Sequence, residues 1–528
     1  MDARKTIESG KAVLGIEFGS TRIKAVLVDE DHIPIAQGSF EWENQLVDGL
    51  WTYSKEVIWF GLQQCYSDLR ADVKKRYDLE IEHLAAIGIS AMMHGYMPFN
   101  KEGHLLAPFR TWRNTNTGPA AAELSKLFVY NIPLRWSISH LYQAILNGEA
   151  HVQDIGYLTT LAGYIHWKLT GEKVLGVGDA SGMLPVDPGT GNYRADMVEK
   201  FEKLVAPYKF RWKLRDILPR VLQAGEAAGC LTETGAKRLD ISGHLHAGVP
   251  LCPPEGDAGT GMVATNAVRP RTGNVSAGTS SFSMIVLEKE LSKPNEMIDI
   301  VTTPDGNLVA MVHCNNCTSE LNAWVKMFRE YQQLLGAEDN NIYGRLYTEA
   351  LQGDPDCGGL VAFNYVSGEP VTGFAEGRPL FVRGANDNFT LANFFRAQLY
   401  GSIAVLKIGN DVLFREEQVK VERITGHGGL FKTPVVGQKF LAAALNSPIS
   451  VMETAGEGGA WGIALLASFL VNNCSGMSLP DFLDEIVFSG NTGTEIAPDP
   501  ADVAGFEAYL ENYKAAFPIE EAAVRCKK

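Results

Sequence analysis

The segment Gly15-Ile16-Glu17-Phe18-Gly19-Ser20-Thr21-Arg22-Ile23-Lys24-Ala25 places a short polar turn between two apolar runs. The runs at residues 12–17 and 23–28 predict two β-strands, and residues 34–42 predict a third after the polar triplet at 29–31. The chain therefore opens as a strand meander. Its first turn, Gly19-Ser20-Thr21, exposes backbone N–H groups together with hydroxyls, which is a pattern that suits a bound phosphate.

Beyond this meander, the patterns of strand and helix alternate. A helical pattern near residues 53–69 is followed by a strand-like segment at 84–90 and by a polar loop at 109–114. Alternation of this kind favours an α/β fold. A second turn of similar composition, Gly278-Thr279-Ser280, lies about half a chain after the first, and the composition shifts toward Gly, Pro and Thr over residues 250–282. We therefore predict two related halves, residues 1–265 and 266–528.

Two further glycine-rich segments follow in the second half. Residues 425–429 (Thr-Gly-His-Gly-Gly) come after an apolar stretch at 419–424, and residues 456–460 (Gly-Glu-Gly-Gly-Ala) open a small-residue helix through 466. Glycines at the exit of a strand admit the close approach of a ligand. The chain has neither a P-loop sequence nor a Gly-x-Gly-x-x-Gly fingerprint. The repeated turns instead suit a nucleotide held in a cleft between two domains.

Composition excludes several classes of protein. The chain has 528 residues, 47 of them Lys or Arg and 62 Asp or Glu, so its formal charge of −15 argues against nucleic acids and anionic membranes as partners. The longest apolar stretch, residues 458–471, is shorter than the roughly 20 residues that span a bilayer, and residues 1–11 do not resemble a secretory signal. We therefore expect a cytoplasmic protein.

Eight cysteines are scattered along this long chain, and we interpret them as free thiols rather than as a disulfide framework. Cys314 and Cys317 form a Cys-x-x-Cys pair, so a zinc site has to be considered. A tetrahedral site needs four ligands, and the sequence offers no second pair with suitable spacing. We predict a packed junction between a strand and the helical segment 321–328.

Several segments, taken in order from residue 13 to residue 467, together resemble the FGGY family of carbohydrate kinases, which have the actin-like ATPase fold. The resemblance is carried by the following segments: residues 15–25 (first phosphate motif), 88–95 (Gly-Ile-Ser-Ala-Met-Met-His-Gly, sugar side), 112–114 (Trp-Arg-Asn), 178–182 (Gly-Asp-Ala-Ser-Gly), 255–259 (Glu-Gly-Asp-Ala-Gly), 276–280 (second phosphate motif), 426–429 and 456–460 (adenosine side). The resemblance implies two actin-like, ribonuclease H-like domains with the active site in the cleft between them.

The resemblance also implies roles for individual residues. Asp257 lies in a glycine-rich segment, which predicts a loop with a flexible backbone, and it is implied to be the general base. Glu17 and Asp257 are implied to orient Mg²⁺, mainly through water. The residues implied to bind the sugar are Met93, His94, Trp112, Arg113, Asn114 and Asp257. The residues implied to bind ATP are Gly19, Ser20, Thr21, Lys24, Gly278, Thr279, Ser280, Gly426, His427, Gly428, Gly429, Glu457 and Gly458.

The activity implied by the resemblance is Mg²⁺- and ATP-dependent phosphorylation of a primary hydroxyl of a sugar. The segment Met93-His94-Gly95 is most similar to that of xylulokinases, so the expected reaction converts D-xylulose to D-xylulose 5-phosphate. Two positions depart from the family pattern: Glu17 stands where Asp is usual, and Ala258 stands where xylulokinases commonly have Asn. Ribulose, rhamnulose, fuculose, gluconate, glycerol and erythritol stay open as substrates. A homodimer is expected from the family alone.

Two rival interpretations belong to other functional classes. In the first, the chain is a non-catalytic actin-fold protein that binds sugar and ATP, a reading suggested by the departures at Glu17 and Ala258. In the second, it is a nucleotide-binding chaperone of the same fold. The chaperone would need a peptide-binding β-domain after the ATPase halves, and the short helical pattern near residues 506–513 argues against one.

Overall fold

The computed structural model describes residues 2–337, 340–452, 458–472, 476–490 and 493–526 of the chain. These residues form two compact units. The first unit comprises residues 1–269, 300–309 and 457–489, and the second comprises residues 270–299, 310–456 and 490–528. The sequence analysis placed a single division between residues 265 and 266. In the structure the chain also returns twice to the first unit after that point.

The strands are numbered in chain order. They are β1 (Val13–Phe18), β2 (Arg22–Val28), β3 (Pro34–Glu41), β4 (Gln45–Val47), β5 (Leu50–Thr52), β6 (Ala86–Ala91), β7 (Met97–Phe99), β8 (Tyr157–Thr159), β9 (Val174–Gly176), β10 (Val186–Asp187), β11 (Asn192–Tyr193), β12 (Arg220–Leu222), β13 (Glu255–Gly256), β14 (Thr272–Ala277), β15 (Ser281–Val286), β16 (Asp299–Thr302), β17 (Leu308–Cys314), β18 (Val361–Phe363), β19 (Leu380–Val382), β20 (Arg423–His427), β21 (Ile449–Val451) and β22 (Thr494–Ile496).

The α-helices are numbered in the same way. They are α1 (Ala3–Glu8), α2 (Lys55–Tyr77), α3 (Gly118–Phe128), α4 (Ser137–Leu146), α5 (Leu161–Thr170), α6 (Val177–Ser181), α7 (Ala195–Val205), α8 (Leu214–Ile217), α9 (Glu233–Leu239), α10 (Asp257–Ala264), α11 (Ser319–Leu334), α12 (Ile342–Glu349), α13 (Leu391–Asp411), α14 (Val436–Leu445), α15 (Gly458–Asn472), α16 (Leu479–Phe482), α17 (Pro500–Ala515) and α18 (Phe517–Arg525).

Among the described residues, the main sheet of the first unit has five strands in the order β13-β6-β1-β2-β3. Strands β1 and β2 form an antiparallel hairpin, whereas β6 is parallel to β1 and β13 is parallel to β6. The carboxyl ends of β1, β6 and β13 consequently lie at the same edge. This arrangement brings Glu17, the segment after Ala91, and Asp257 to one place, although they are far apart in sequence.

Helices cover both faces of this sheet. Helix α2 packs on one face through buried residues such as Ile58 and Leu62. Helix α15 packs on the other face so closely that a Cβ atom at Gly15 would lie 2.0 Å from the carbonyl oxygen of Ala460. A Cβ at Gly88 would similarly lie 2.5 Å from the carbonyl oxygen of Ile463. Glycine is therefore required where the sheet meets the backbone of α15.

The main sheet of the second unit has seven strands within the described ranges, in the order β16-β17-β15-β14-β20-β21-β22. Strands β14 and β15 form an antiparallel hairpin, and β20 is parallel to β14. This is the arrangement of β1, β2 and β6 in the first unit. The α/β fold class is confirmed, and a hairpin with a parallel third strand occurs in both units.

Most of the predicted strands and helices are present in the structure, and two of them have different boundaries. The predicted strands at 12–17, 23–28, 34–42 and 84–90 correspond to β1, β2, β3 and β6. The predicted helix at 53–69 extends to Tyr77, where the left-handed residue Asp78 ends it. The predicted strand exit near residue 424 lies later, because β20 runs from Arg423 to His427 and includes Gly426. No helix in the described ranges is both long enough and apolar enough to cross a membrane.

A buried ion pair links the core helices α13 and α17 of the second unit. The guanidinium of Arg396 bonds the carboxylate of Asp502 and donates at 2.8 Å to the hydroxyl of Tyr400, and Lys439 lies 3.2 Å from the second Asp502 oxygen. The side chains of Arg396 and Asp502 are only 2% and 8% exposed. Removing Arg396 takes the closest charged donor from the buried Asp502 carboxylate, which keeps the partly exposed Lys439 as an ionic partner.

We expect Arg396→Ala to destabilise the second unit by about 1.5–3 kcal/mol, because the buried Asp502 carboxylate loses a charged hydrogen-bond donor while it retains Lys439. The measurement is the shift of the urea unfolding midpoint. Arg525→Ala is the matched control, since the pair of Arg525 and Glu521 is exposed and should contribute about 0–1 kcal/mol. Equal shifts for the two variants would contradict the assignment.

Candidate functional site

Glu17 lies at the end of β1, on the sheet face that α15 covers. A Cβ atom at Gly459 would lie 2.3 Å from a Glu17 carboxylate oxygen, and the backbone N–H of Ala460 donates to the carboxylate. The side chain thus meets the first turn of α15, where N–H groups favour negative charge. Burial raises the pKa of Glu17 to about 7; the charge of Asp257 raises it as well, and Lys24, its partner across the hairpin, lowers it.

Asp257 is the first residue of helix α10, directly after β13. The sequence analysis placed it in a flexible glycine-rich loop, and this expectation was wrong. Its surroundings are closely packed instead: a Cβ atom at Gly256 would lie 2.1 Å from Met93 Cγ, and one at Gly462 of α15 would lie 2.0 Å from the carbonyl oxygen of Thr260 in α10. Asp257 is therefore held on a rigid strand-to-helix junction.

The carboxylate of Asp257 is oriented by the segment that follows β6. The backbone N–H of Met93 donates to Asp257 Oδ1 at 3.0 Å. Burial raises the pKa of Asp257 to about 6, while hydrogen bonds from Met93 and from the Ala258 backbone oppose the rise. A carboxylate with such a pKa is ionised at neutral pH and still accepts a proton readily, as a general base requires.

His94 occupies a left-handed backbone conformation with φ = 68°, next to Met93. Its Nδ1 lies 3.2 Å from the carbonyl oxygen of Gly182. A carbonyl oxygen only accepts, so His94 Nδ1 is the donor of this hydrogen bond. The sequence prediction placed Met93, His94 and Asp257 at one site, and the structure brings these three residues together.

Trp136 was not anticipated from the sequence. Its ring stacks on that of His94, with centroids 6.2 Å apart and an interplanar angle of 22°. Its indole N–H is buried and has no hydrogen-bond partner among the described residues. Trp136 immediately precedes α4, and an isolated tryptophan before a helix carries no signal that distinguishes it from ordinary core.

Two more buried carboxylates lie behind Asp257. Glu255 accepts from the backbone N–H groups of Gly178 and Asp179, at 3.3 and 2.9 Å, and burial together with the charge of Asp179 raises its pKa to about 8. Asp179 Oδ2 accepts from the Thr160 hydroxyl at 2.6 Å, and burial raises the pKa of Asp179 to about 7. The segment 178–182 therefore supports the strand that leads into Asp257.

Aromatic side chains hold the first polar turn from behind. Trp42 Nε1 donates to the carbonyl oxygen of Gly19 at 2.8 Å, and the Tyr53 hydroxyl donates to that of Ser20 at 2.5 Å. The backbone N–H groups of Ser20 and Thr21 make no hydrogen bond with any described residue. With its carbonyls occupied in this way, the turn presents N–H donors and hydroxyls.

The three side chains of the segment Trp112-Arg113-Asn114 contact different partners. Trp112 Nε1 donates to the Ser20 hydroxyl at 3.1 Å, and the Arg113 guanidinium lies 3.7 Å from the ring centroid of Trp51. The side-chain oxygen of Asn114 accepts from the Trp51 N–H at 2.9 Å, and its amide donates to the Trp51 carbonyl at 2.8 Å. Asn114, predicted to contact the sugar, is thus engaged with the backbone of strand β5.

In the second unit, the turn Gly278-Thr279-Ser280 joins β14 and β15 as its counterpart joins β1 and β2. The Thr318 hydroxyl donates to the carbonyl oxygen of Gly278 at 2.7 Å, and the Cys317 N–H donates to that of Thr279 at 2.9 Å. The N–H groups of Thr279 and Ser280 have no partner among the described residues. The two turns therefore share one arrangement, achieved by different side chains.

The predicted adenosine-side residues lie partly beside this second turn. Strand β20 pairs with β14, so Gly426 lies opposite Val275. Gly428 has φ = 100°, and a Cβ atom there would lie 2.6 Å from the Ala277 carbonyl oxygen; Gly429 follows it in chain order. Burial lowers the pKa of His427 to about 4. Gly458 begins α15 in the first unit, and the predicted residue Glu457 lies outside the described residues.

Cys314 ends β17, and Cys317 precedes α11. Both thiols are buried, and burial raises the pKa of each above its ordinary value. The two cysteines therefore lie at a packed strand-to-helix junction, as the sequence analysis predicted. Their burial and raised pKa values are those of structural rather than reactive thiols.

Comparison with known proteins identifies the family. Residues 12–263 match the N-terminal domain, and residues 273–471 the C-terminal domain, of the FGGY family of carbohydrate kinases. A xylulose kinase from Haemophilus influenzae is 22% identical over 513 residues, which cover 95% of this chain and 98% of the relative.

Solved structures show the same fold. A ligand-bound xylulose kinase from Lactobacillus acidophilus superposes with a TM-score of 0.78 at 18% identity, covering 98% of this chain and 99% of that one. A gluconate kinase from the same organism also gives 0.78 at 18% identity, with coverage of 96% and 98%. Matches to both family domains account for most of the sequence, and the chain belongs to the FGGY family of carbohydrate kinases.

Proposed function

We propose that this carbohydrate kinase transfers the γ-phosphoryl group of ATP to the primary hydroxyl of a ketopentose, converting D-xylulose to D-xylulose 5-phosphate. Membership of the family establishes phosphoryl transfer to a sugar hydroxyl. The choice of D-xylulose is supported by Met93-His94-Gly95 and by the full-length relative from Haemophilus influenzae, which is named a xylulose kinase.

The observation that carries the proposal is the hydrogen bond from the Met93 N–H to Asp257 Oδ1. It joins the segment that bears His94 to the carboxylate proposed as general base. A sugar hydroxyl that reaches Asp257 is therefore also within the environment of His94. Positioning of this kind is most of what phosphoryl transfer asks of a protein.

In the proposed reaction, the sugar hydroxyl oxygen forms a bond to the γ-phosphorus while its O–H bond breaks. The proton passes to the Asp257 carboxylate, the bond from the γ-phosphorus to the bridging oxygen breaks, and ADP leaves. The backbone N–H groups of Met93 and Ala258 hold the carboxylate in place for this transfer. His94 Nε2, the other ring nitrogen, is the proposed hydrogen-bond partner of another sugar hydroxyl.

The polar turns are the proposed phosphate contacts. The turns Gly19-Ser20-Thr21 in the first unit and Gly278-Thr279-Ser280 in the second present hydroxyls together with the N–H groups of their last two residues. Their carbonyl oxygens are already occupied by other donors. Oriented donors of this kind stabilise charge as it develops on phosphoryl oxygens. Lys24, Gly426, His427, Gly428, Gly429, Glu457 and Gly458 remain proposed ATP contacts.

The residues present fit a magnesium ion. The charge of Asp257 raises the pKa of Glu17, so two neighbouring carboxylates repel one another in the absence of a cation. Their oxygen donors are the kind that Mg²⁺ prefers. Glu17 and Asp257 would hold the ion mainly through water, and the bound cation would neutralise charge on the phosphate oxygens.

Other acceptors remain candidates. The resemblance in fold to a gluconate kinase, at the same TM-score as to a xylulose kinase, keeps gluconate in consideration beside ribulose, rhamnulose, fuculose, glycerol and erythritol. The experiment that decides among them is ADP release from Mg-ATP against a panel of these compounds and both enantiomers of xylulose. Binding of ATP and sugar without ADP release would favour the non-catalytic alternative.

We expect Asp257→Asn to lower kcat by about 10²–10⁴-fold, because the amide keeps the shape of the side chain and cannot accept the proton. Sugar-dependent ADP release measures the effect. Asp196→Asn is the matched control, since Asp196 is an exposed residue of α7 paired with Lys200, and its activity should equal that of the wild type. Full activity in Asp257→Asn would exclude Asp257 as the base.

We expect kcat/KM for the sugar to fall on the acid side with a midpoint near pH 6. Burial raises the pKa of Asp257 to about 6, and only the ionised carboxylate accepts a proton, so the rate drops about tenfold per pH unit below the midpoint. Because Glu17 and Asp257 interact, the midpoint belongs to the pair. A profile that stays flat down to pH 5 would contradict this assignment.

We expect His94→Asn to raise the KM for the sugar about three- to tenfold, because the variant loses Nε2 as a hydrogen-bond partner. Asparagine tolerates left-handed backbone better than most residues, and its amide can still donate to the Gly182 carbonyl. The KM for ATP should not change, and His104→Asn is the control at an exposed position. A parallel rise in both KM values would indicate a general structural effect.

A further inference from the structure

A cluster of potential metal ligands lies at the opposite end of the strands that carry the site. Glu82, His83 and His246 bring a carboxylate oxygen and two imidazole nitrogens within 4.8 Å of one another, and all three side chains are exposed. The first two residues precede β6, whose other end leads to Met93. His246 lies in the segment that leads to β13 and Asp257, so the cluster is separated from the site by roughly 20 Å of strand.

The backbone beneath this cluster is firmly anchored. The N–H of His246 donates to the carbonyl oxygen of Glu82 at 3.0 Å, which joins the two segments directly. Leu84, which follows His83, is 6% exposed, and Leu245, which precedes His246, is 4% exposed. A buried leucine therefore anchors each of the two segments that carry the cluster. Little backbone entropy would be lost when an ion binds.

Asp240 fixes the loop that presents His246. Its buried carboxylate accepts from the backbone N–H groups of His244 and Leu245, each at 2.9 Å, and from Ser242. Arg70 lies 3.6 Å from the same carboxylate. The position of His246 therefore follows from a network of hydrogen bonds within the first unit rather than from a loose surface loop.

The rings of His83 and His246 already lie side by side. Their centroids are 4.7 Å apart and their planes differ by 18°. Gly10 packs against His83, since a Cβ atom there would lie 2.7 Å from His83 Cβ. Ligand atoms around a tetrahedral zinc ion are about 3.4 Å apart, so rotations of the three side chains are sufficient to close the cluster.

We propose that Glu82, His83 and His246 form a binding site for a divalent first-row transition metal of the Zn²⁺ class, with water in the fourth position. Two imidazoles and one carboxylate suit Zn²⁺, whereas Mg²⁺ prefers an all-oxygen environment. The bound ion joins the segment that enters β6 to the one that approaches β13. It is distinct from the cation of the phosphoryl-transfer site.

The test is a Zn²⁺ titration of the full chain in competition with a chromophoric chelator, after accessible thiols have been alkylated so that they do not bind the metal. We expect one zinc ion per chain. His83→Gln and His246→Gln should each weaken binding at least about tenfold, since even the loss of an outer-shell partner costs 10–100-fold. Millimolar Mg²⁺ should not displace the ion.

His244→Gln is the matched control, because His244 lies in the same loop, bonds Ser242 at 2.9 Å and is not part of the cluster. Its zinc affinity should equal that of the wild type. A second readout is thermal: Zn²⁺ should raise the Tm of the wild type and not that of His83→Gln/His246→Gln, whose Tm in EDTA serves as the check on folding. Absence of saturable uptake, or equal uptake by the double variant, would overturn the proposal.

Discussion

The contact between the first sheet and helix α15 is the constraint on which the site depends. At Gly15 and Gly88 the helix backbone approaches the sheet so closely that there is no room for a side chain. That approach sets the first turn of the helix against the end of β1, and Glu17 meets it there. The same helix packs on α10 through Gly462 and so fixes the junction that carries Asp257. Close backbone packing therefore sets where both carboxylates lie, and the N–H groups of Ala460 and Met93 orient them there.

Four carboxyl groups gather at this end of the first unit, and burial raises the pKa of each: Glu17, Asp179, Glu255 and Asp257. A carboxyl group whose pKa is raised by folding binds its proton more tightly in the folded state. Its contribution to stability is therefore lost as pH increases from its unfolded pKa to its folded one. The four buried carboxyl groups therefore lower the stability of the first unit at neutral pH. A cluster of groups with perturbed pKa values is typical of a functional site.

The sequence predicts much of the fold, but it predicts only part of the candidate site. Short apolar runs and the two polar turns predict β1, β2, β3 and β6, because strand periodicity and turn chemistry are local properties. The grouping of Met93, His94 and Asp257 comes from resemblance to a family, and the parallel register of β6 and β13 accounts for it physically. Local patterns alone do not place residues 164 positions apart in contact.

The sequence analysis failed where a residue's role depends on distant partners. Asp257 was predicted to lie in a flexible loop because of the glycines around it, whereas it is the first residue of helix α10, which packs against Gly462 of α15. Trp136 and the Glu255–Asp179 contact left no local signal. Asn114 matches a motif by type, yet its side chain is engaged with the backbone of Trp51. Identity at a motif position does not specify which neighbour the side chain contacts.

The two polar turns show what such a motif depends on. In one, the carbonyls are held by Trp42 and Tyr53; in the other, by Thr318 and the backbone of Cys317. The glycine, serine and threonine of each turn are therefore only part of the motif, which also includes the residues that hold their carbonyl groups. A turn grafted into another hairpin without these supports would be free to rotate its peptide planes, and its carbonyls would then repel the anion that its amides attract. A substitution of a supporting residue should therefore impair a turn as much as a substitution within it, and in this chain the two turns are supported by different residues.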